Sequence, residues 1–434
     1  MARWRRAAWS NDRPGPPVVT PVRKIPPQDW MRAPETRAVI AALTAEGAEV
    51  RFVGGCVRDA LAGRKVQDID IATQLPPEEV MCLLGAAGIK AVPTGIQHGT
   101  VTAVAGGKPF EITTLRVDVE TYGRKAKVAF TDDWTADAAR RDFTFNALSC
   151  APDGALYDPF DGEADLMAGR VRFVGEARAR IEEDYLRLLR FFRFQAHFGK
   201  PPPDPEALEI AAELAPELDR LSGERIRAEL LRLLQAPDPI PVVEIMIARR
   251  ILREILPTAP DAALLRALMR AEATDEPVDP ILRLAAVLEP GREQAERIAE
   301  RLRLSNRQRF ALVYLLAPPL DPLAEVSLKD LHRAVRKLGA PLSRKLLQLS
   351  WARRHRGDER AVPDEAFQAA LENIERLASK RFPLLGRDAR ALGVPEGPEL
   401  GRLLEEVEEW WSERDFEPAR KACLDRLREL IAGA

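Results

Sequence analysis

Short segments in the first third of the chain alternate apolar and polar residues, a pattern that predicts strands. They are rich in β-branched residues, which favour an extended backbone. The strands predicted in this way are "VRFV" (50–53), "DIDIA" (68–72), "TVTAVA" (100–105) and "PFEITTLR" (109–116). Apolar residues at helical spacing predict helices over 34–47, 57–61 and 76–88. We therefore expect a small α/β domain in the first 135 residues.

From about residue 136 the apolar residues recur every three or four positions, which is typical of amphipathic helices. Prolines and glycines separate the helical segments, and no repeat of fixed period stands out. The predicted helices are 176–197, 204–215, 222–235, 240–250, 261–273, 277–288, 292–304, 306–316, 326–338, 341–354, 364–379 and 397–411. The expected fold class is an α+β head with a small mixed sheet, followed by an extended all-α remainder.

The composition is that of an ordinary folded protein, with 434 residues, 46% hydrophobic and 30% charged. A net charge of −2 means that contact with a polyanion must come from local basic patches. The four cysteines form no Cys-x-x-Cys pair, which argues against structural zinc and for a reducing compartment. No apolar run is long enough to span a bilayer, and residues 1–28 look like a loose basic leader without a signal-peptide core. We expect a cytoplasmic protein without membrane contact.

Two aspartates begin the second predicted strand and are the first candidates for chemistry. Asp68 and Asp70 are two residues apart, so both side chains are expected on one face of that strand. Carboxylates that close repel each other unless a cation lies between them, and oxygen ligands of this kind suit Mg²⁺. Glu111, on a nearby predicted strand, would be a third acid. The alternative is a polar strand end that faces water.

A glycine pair, Gly54-Gly55, follows the first predicted strand, and Arg58 comes shortly after it. Such a turn lets backbone N–H groups approach a phosphate closely, and an arginine adds positive charge. Glycine pairs are also common in tight turns without a ligand. Together with three acids and two metal ions, however, this turn fits the transfer of a nucleotidyl group from a triphosphate.

The order of these motifs, "GGCVRD", "DIDIAT" and "EITTLR", resembles the head of class II nucleotidyltransferases, the family of tRNA CCA-adding enzymes and bacterial poly(A) polymerases. Further motifs of that family follow in the same order. "RRDFTFNAL" resembles its ribose-recognition motif, "YDPFDG" its hinge and "EEDYLRLLRFFRF" its base-reading motif. Residues 383–411 resemble the tail found in many bacterial CCA-adding enzymes. The resemblance covers about residues 35–420.

The resemblance implies a head with a polymerase-beta-like palm and a division of the chain into five parts. These are a leader (1–28), the head (29–150), a neck that recognises the base (151–240), a body (241–360) and a tRNA-binding tail (361–434). Arg141 and Asp142 would bind the nucleotide, with Asp142 accepting from the ribose 2′-hydroxyl. Asp142 could instead cap a helix, and Phe143 and Phe145 are expected in the core.

The base-reading motif also has a physical rationale. Cytosine and adenine both present an amine donor beside a ring-nitrogen acceptor, which an aspartate and an arginine can recognise together. Asp184 and Arg187 are three apart on a predicted helix and so should be neighbours on its surface. Arg190 and Arg193 continue this spacing and are better suited to the triphosphate or to bracing the helix. The alternative is a solvated basic helix face.

The activity implied is template-independent addition of CCA to the 3′ end of tRNA from CTP and ATP, with Mg²⁺ as cofactor and pyrophosphate released. No obligatory protein partner is implied. A poly(A) polymerase is the main alternative, followed by an enzyme that adds only CC or only A, and by a silent RNA-binding module. "PTGIQHGTVTAV" (93–104) and the tail motif favour CCA addition, whereas basic stretches such as 351–360 identify no particular tRNA site.

Two segments test the resemblance further. In relatives, the segment matching 117–129 is a mobile loop that helps to switch between adding C and adding A, although a plain exposed hairpin is also compatible. Some relatives carry a His-Asp phosphohydrolase site where this chain has Leu288 and Glu289. We therefore expect no phosphohydrolase activity.

Overall fold

A computed structural model describes residues 20–122, 125–258, 260–272, 277–288, 290–318, 328–414 and 416–432. The chain forms two compact units, the first ending at Leu221 and the second beginning at Ser222. Most of the predicted leader lies outside the described residues. The boundaries expected near 150, 240 and 360 stay predictions.

The described residues of the first unit include ten strands, of which eight form one mixed sheet. They are β1 (Arg23–Lys24), β2 (Val50–Val53), β3 (Asp70–Thr73), β4 (Lys90–Gly95), β5 (Thr100–Ala105), β6 (Lys108–Thr114), β7 (Arg116–Tyr122), β8 (Lys125–Phe130), β9 (Ser149–Cys150) and β10 (Ala155–Tyr157). The order in the large sheet is β1-β10-β9-β2-β3-β6-β5-β4, and β7 pairs with β8 separately. Within that sheet β3 and β6 run parallel, while the other neighbours are antiparallel.

Nine α-helices accompany these strands. They are α1 (Asp29–Arg32), α2 (Pro34–Thr44), α3 (Gly55–Leu61), α4 (Pro77–Ala86), α5 (Trp134–Ala139), α6 (Gly162–Ala168), α7 (Ala177–Glu183), α8 (Leu186–Phe198) and α9 (Pro205–Leu214). Three 3₁₀ turns lie at 96–98, 144–146 and 215–220. Helices α2, α4 and α9 each begin with proline, which fits there because the first helical N–H needs no partner within the helix.

Helices α2 and α4 pack against each other and against the sheet. Their apolar residues Leu43 and Leu84 are fully buried, as are Val101 and Ile112 on the strands. The alternation predicted for the strands therefore places one row of side chains in this core, which holds β3 and β6 firmly in register.

A second core consists mainly of phenylalanines. Phe143, Phe145 and Phe194 are each at most 2% exposed, and their ring centroids lie 5.2–5.8 Å apart. Phe173 stacks on Phe191 in the same cluster. The prediction that Phe143 and Phe145 belong to the core is confirmed, and their cluster joins the 144–146 turn to α8.

The second unit consists of helices throughout the part that is described. They are α10 (Gly223–Leu234), α11 (Ile240–Ala248), α12 (Ile251–Ile255), α13 (Ala262–Ala271), α14 (Pro280–Val287), α15 (Arg292–Arg301), α16 (Asn306–Leu316), α17 (Leu328–Leu338), α18 (Ala340–Arg354), α19 (Glu365–Ser379), α20 (Gly386–Ala391), α21 (Pro398–Ser412) and α22 (Arg420–Ala432). A search of the described helices finds none long and apolar enough to cross a membrane. The expected fold class, a mixed-sheet head followed by helices, is confirmed.

Several elements of the structure differ from those predicted. The prediction of a single helix over 176–197 is wrong, because the helix is interrupted at Asp184 (φ −157°, ψ 105°), which lies between α7 and α8. There Asp184 Oδ1 accepts from the backbone N–H of Leu186, 3.2 Å away, the kind of local bond by which aspartate favours a helix start. The strand expected from residue 68 begins at Asp70. Strand β4 is absent from the predicted strands, and its residues are all exposed or half-buried.

The segment 117–129 forms most of the β7–β8 hairpin, apart from residues 123 and 124, which lie outside the described residues. A hairpin is thus confirmed, and movement of this segment stays a prediction.

We expect Phe143→Ala to lower the free energy of unfolding of the first unit by about 3–5 kcal/mol, because the ring is fully buried among other aromatics. Denaturant unfolding followed by hydrogen exchange at first-unit amides measures the loss. Phe310→Ala is the matched control, since Phe310 is 48% exposed and should change stability by no more than about 0.5 kcal/mol. Equal effects of the two substitutions would contradict the assigned core.

Candidate active site

The structure brings two of the three predicted acids into direct register. Asp70, the first residue of β3, pairs with Glu111 on the parallel strand β6. Residues paired in this way project from the same face of a sheet. Asp68 precedes the strand and is exposed. The prediction that Asp68 and Asp70 alternate on one strand is therefore wrong. The charge of Asp68 nevertheless acts on Asp70 and raises its pKa.

The carboxyl group of Asp70 is under electrostatic strain. Burial raises its pKa, the neighbouring charges of Glu111 and Asp68 raise it further, and Arg141 and Arg58 offset only part of the increase. The resulting pKa of Asp70 is about 6, well above the 3.8 of a free aspartate. A cation at this position would relieve the repulsion, so these residues fit a divalent metal ion.

Within the described ranges, no group of three or more His, Cys, Asp or Glu side chains is arranged to hold a metal ion. Magnesium ions commonly take only one or two carboxylates from the protein and the remaining oxygens from phosphates and water. Asp68 and Asp70 thus stay a predicted metal pair, with Glu111 as a neighbour across the sheet.

The glycine turn connects β2 to α3. Gly54 has φ 68° and ψ −120°, a conformation that side chains disfavour, and a Cβ there would lie 2.8 Å from Arg141 Nη1. Its N–H donates to the Leu148 carbonyl at 3.0 Å. Gly55 is the first residue of α3. Glycine at position 54 is therefore favoured by the backbone conformation of the turn, whereas the guanidinium of Arg141 is the end of a flexible side chain that can shift.

Arg58 lies on α3, one turn after the glycines, with its side chain 12% exposed. Its Nη1 donates to Asn146 Oδ1 at 2.7 Å, and its Nε donates to Asp59 Oδ1 at 2.9 Å. The guanidinium also lies 4.7 Å from the Phe198 ring centroid. These contacts hold Arg58 in one orientation beside the turn.

Arg141 and Asp142 occupy the segment just before the 144–146 turn. Arg141 donates to the Asn146 carbonyl at 3.3 Å and pairs with Asp137 at 3.4 Å. Asp142 is buried; one of its oxygens accepts from the Phe143 N–H and Asn146 Nδ2, both at 2.9 Å, and the other from Arg190 Nε at 2.5 Å. No side chain caps the 144–146 turn, so the alternative role of Asp142 as a helix cap is wrong.

Burial alone would raise the pKa of Asp142, but the charge and hydrogen bond of Arg190 and the hydrogen bond from Asn146 hold it below its usual value. Asp142 is therefore ionised at neutral pH. Of the four acceptor positions of a carboxylate, described donors occupy three.

The predicted base-reading residues lie at the break between α7 and α8, not along one helix face. Arg187 Nη1 contacts Glu183 and the Arg180 carbonyl, and its Nη2 donates to the Arg140 carbonyl at 3.1 Å. The Arg187 N–H donates to the Asp184 carbonyl at 2.9 Å. The spacing argument for this pair is wrong, yet the chain turn still keeps the two residues adjacent.

Further along α8, Arg190 is bound to Asp142, and the Arg193 guanidinium lies 3.9 Å from the Phe194 ring centroid. Bracing was one of the two expectations for these arginines, and the contact with Asp142 fits it. Their contact with a triphosphate stays a prediction.

Sequence reasoning missed two residues that organise the site. Asp137 is buried and pairs with Arg140 and Arg141; burial would raise its pKa, but these two charges lower it. Asn146 bridges Arg58 and Asp142. A polar residue inside the aromatic stretch "DFTFNAL" was the available signal, because a buried amide needs partners.

In the second unit, Leu288 follows α14 and is buried, and Glu289 lies outside the described residues. The expectation about phosphohydrolase activity stays a prediction.

Comparison with known proteins gives consistent matches. Residues 50–172 match the model of the poly A polymerase head domain, and residues 203–262 match that of a probable RNA- and SrmB-binding site of polymerase A. The CCA tRNA nucleotidyltransferase 1, mitochondrial, of Danio rerio is 34% identical over 88% of this chain and 87% of its own length. The CCA-adding enzyme of Leuconostoc citreum is 39% identical over 48% of this chain and 50% of its own.

Solved structures share the fold. The Bacillus stearothermophilus CCA-adding enzyme in complex with CTP has a TM-score of 0.68 and 24% identity, over 92% of this chain and 97% of that one. The Thermotoga maritima CCA-adding enzyme complexed with tRNA has a TM-score of 0.60 and 20% identity, over 94% and 97%.

The raised pKa of Asp70 predicts how the stability of the metal-free protein depends on pH. Since the folded protein holds this proton more tightly than the unfolded chain, the contribution of the group to stability is largest below pH 4 and is lost as the pH rises through about 6. Asp70→Asn should therefore raise the melting temperature in EDTA by a few degrees at pH 8 and by much less at pH 5. Calorimetry at both values measures the difference.

Glu46→Gln, which removes an exposed carboxylate from the same unit, is the control and should have little effect at either pH. If Asp70→Asn raises the melting temperature equally at pH 5 and pH 8, ionisation of Asp70 is not the source of the increase.

Proposed function

Since the chain belongs to the family of CCA-adding tRNA nucleotidyltransferases, we propose that it adds C, C and A to the 3′ end of tRNA from CTP and ATP. Identity of 34% across most of both chains supports the family. One observation in the site carries the activity: Asp70 and Glu111 face each other in register beside the turn of Gly54.

Enzymes of this family generally use divalent metal ions, and we propose Mg²⁺ held by Asp68 and Asp70. The support is the pKa of Asp70, which burial and two further carboxylates raise until a cation compensates. When bound, the metal makes the attacking 3′-hydroxyl more acidic and stabilises the charge on the leaving pyrophosphate. Glu111 adds negative charge on the same face of the sheet and strengthens the hold on a cation.

The triphosphate is assigned to the glycine turn. The absence of side chains at Gly54 and Gly55 lets backbone approach phosphate oxygens, and Arg58 supplies a guanidinium fixed by Asn146 and Asp59. The ribose is assigned to Arg141 and Asp142. The fourth acceptor position of the Asp142 carboxylate suits a 2′-hydroxyl donor, which a deoxynucleotide lacks.

The base is assigned to Asp184 and Arg187, with Arg190 and Arg193 supporting them on α8. Uracil and guanine present a carbonyl and an N–H where cytosine and adenine present an amine and a ring nitrogen. A mismatched base would leave the aspartate or the arginine without its hydrogen bond. The lost binding free energy would select against that base. The chain itself would then act as the template for C and A.

Poly(A) addition is the second candidate, because both matching family models carry the name of a poly A polymerase. The two activities differ in when extension stops. The cytoplasm is the proposed location; several curated relatives carry "mitochondrial" in their names, so this part of the proposal needs its own test by fractionation.

Incubation with tRNA lacking its 3′ end, Mg²⁺, CTP and ATP should extend the tRNA by CCA and then stop. Sequencing the product ends distinguishes this outcome from a long A tail, which supports the second candidate, and from a partial CC or A end. Absence of any incorporation would contradict both candidates.

Asp70→Ala should reduce incorporation of both nucleotides by roughly 1,000-fold or more, since it removes a proposed metal ligand. Asp153→Ala, at an exposed aspartate of the same unit, is the matched control and should stay active. Retained activity in Asp70→Ala would refute the metal assignment.

Asp184→Ala should instead lower the preference for C and A over U and G by about 10- to 100-fold, because one hydrogen bond of the base is lost. Incorporation of each nucleotide, supplied singly, measures it. An unchanged preference would mean that the base is read elsewhere.

A further inference from the structure

Asn146 is a buried amide whose two ends are both occupied. It is 6% exposed and lies in the 144–146 turn, next to Phe145 of the phenylalanine core. Its Oδ1 accepts from Arg58 Nη1 at 2.7 Å, and its Nδ2 donates to Asp142 Oδ1 at 2.9 Å. The other Asp142 oxygen accepts from Arg190 at 2.5 Å. Four side chains therefore form one continuous chain of hydrogen bonds from α3 to α8.

The direction of donation along this series of hydrogen bonds requires an amide between Arg58 and Asp142. An arginine can only donate and an ionised aspartate can only accept, so a bridge between them must accept at one end and donate at the other. An asparagine does both in one planar group. A carboxylate of the same shape would satisfy Arg58 but would set two negative charges against each other at Asp142, which is ionised.

We propose that Asn146 is a positioning residue that fixes Arg58 and Asp142 relative to each other, so that one nucleotide is held by its triphosphate and its ribose together. The inference rests on the proposed function, which assigns Arg58 to the triphosphate and Asp142 to the ribose. Asn146 itself acts through these two partners. Without it, Asp142 keeps the Phe143 N–H and Arg190, and Arg58 keeps Asp59, but the two residues lose the bridge that orients them relative to each other.

This role predicts a particular kinetic pattern. Substituting Asn146 should weaken selection of the sugar and raise KM for CTP and ATP alike. Selection of the base should stay as it is, because the side-chain hydrogen bonds of Asn146 join Arg58 and Asp142, which are assigned to the triphosphate and the ribose and not to the base. Substituting a residue that only supports folding would lower the amount of active enzyme without changing the preference for the sugar or for the base.

The experiment compares Asn146→Asp with wild type in the full-length chain on tRNA lacking its 3′ end. CTP competes against dCTP, and ATP against dATP, with UTP as a base control. Asn146→Asp should lower the preference for the ribonucleotide by about tenfold or more and raise KM for both substrates severalfold, with UTP still rejected. Asn146→Ala, which adds no charge, should change the ribonucleotide preference and KM in the same direction. It replaces Asn146→Asp in the experiment if that variant does not fold.

Thr144→Val is the matched control from the same turn. Thr144 is fully buried and donates to Asp165 at 2.7 Å, so its loss should reduce thermal stability while the preference for ribonucleotides stays. Equal loss of that preference in Thr144→Val and Asn146→Asp would overturn the inference, as would an unchanged preference and KM in folded Asn146 variants. Wild type that adds no CCA would instead refute the proposed function, so the two failures are distinguishable.

Discussion

The crowding of carboxylates at Asp70 is the interaction on which the rest of the site depends. Parallel pairing of β3 with β6 sets Asp70 opposite Glu111, and Asp68 adds a third negative charge nearby. Such an arrangement is unfavourable for the protein alone, and burial together with the charges of Glu111 and Asp68 raises the pKa of Asp70. Packing of the sheet against α2 and α4 maintains it. In the proposed function, a divalent cation that binds together with the triphosphate would remove this repulsion.

Around this centre, arginines tie separate elements of the first unit into one site. Arg187 reaches from α8 to the Arg140 carbonyl, Arg190 binds Asp142, and Arg58 reaches from α3 to Asn146. Arg58 and Arg187 each donate to more than one acceptor in a fixed geometry, so the elements hold one another in place. The segment 140–146 is common to all three links. In the proposed function, the parts that bind triphosphate, ribose and base are therefore coupled through this segment.

Much of this arrangement can be predicted from the sequence, but only where local signals agree with the final contacts. Alternating β-branched residues locate β2, β5 and β6, and the family motifs bring together the acids, the glycine turn and Asp142. The break at Asp184 escapes prediction because the apolar spacing runs on through it, while a local hydrogen bond to the Leu186 N–H ends the helix. The role of Asn146 escapes as well, since Asp142 is near it in the sequence but its other partner, Arg58, lies 88 residues away.

The titration of the Asp70 carboxyl group tests the central claim most directly. Carbon NMR of protein labelled at aspartate, with Asp70→Asn to identify the signal, gives the pKa with and without Mg²⁺ and CTP. We expect a pKa of about 6 in the metal-free protein, since burial, Glu111 and Asp68 raise it, and a clear decrease when metal and nucleotide bind. An ordinary aspartate pKa that is the same in both states would contradict it.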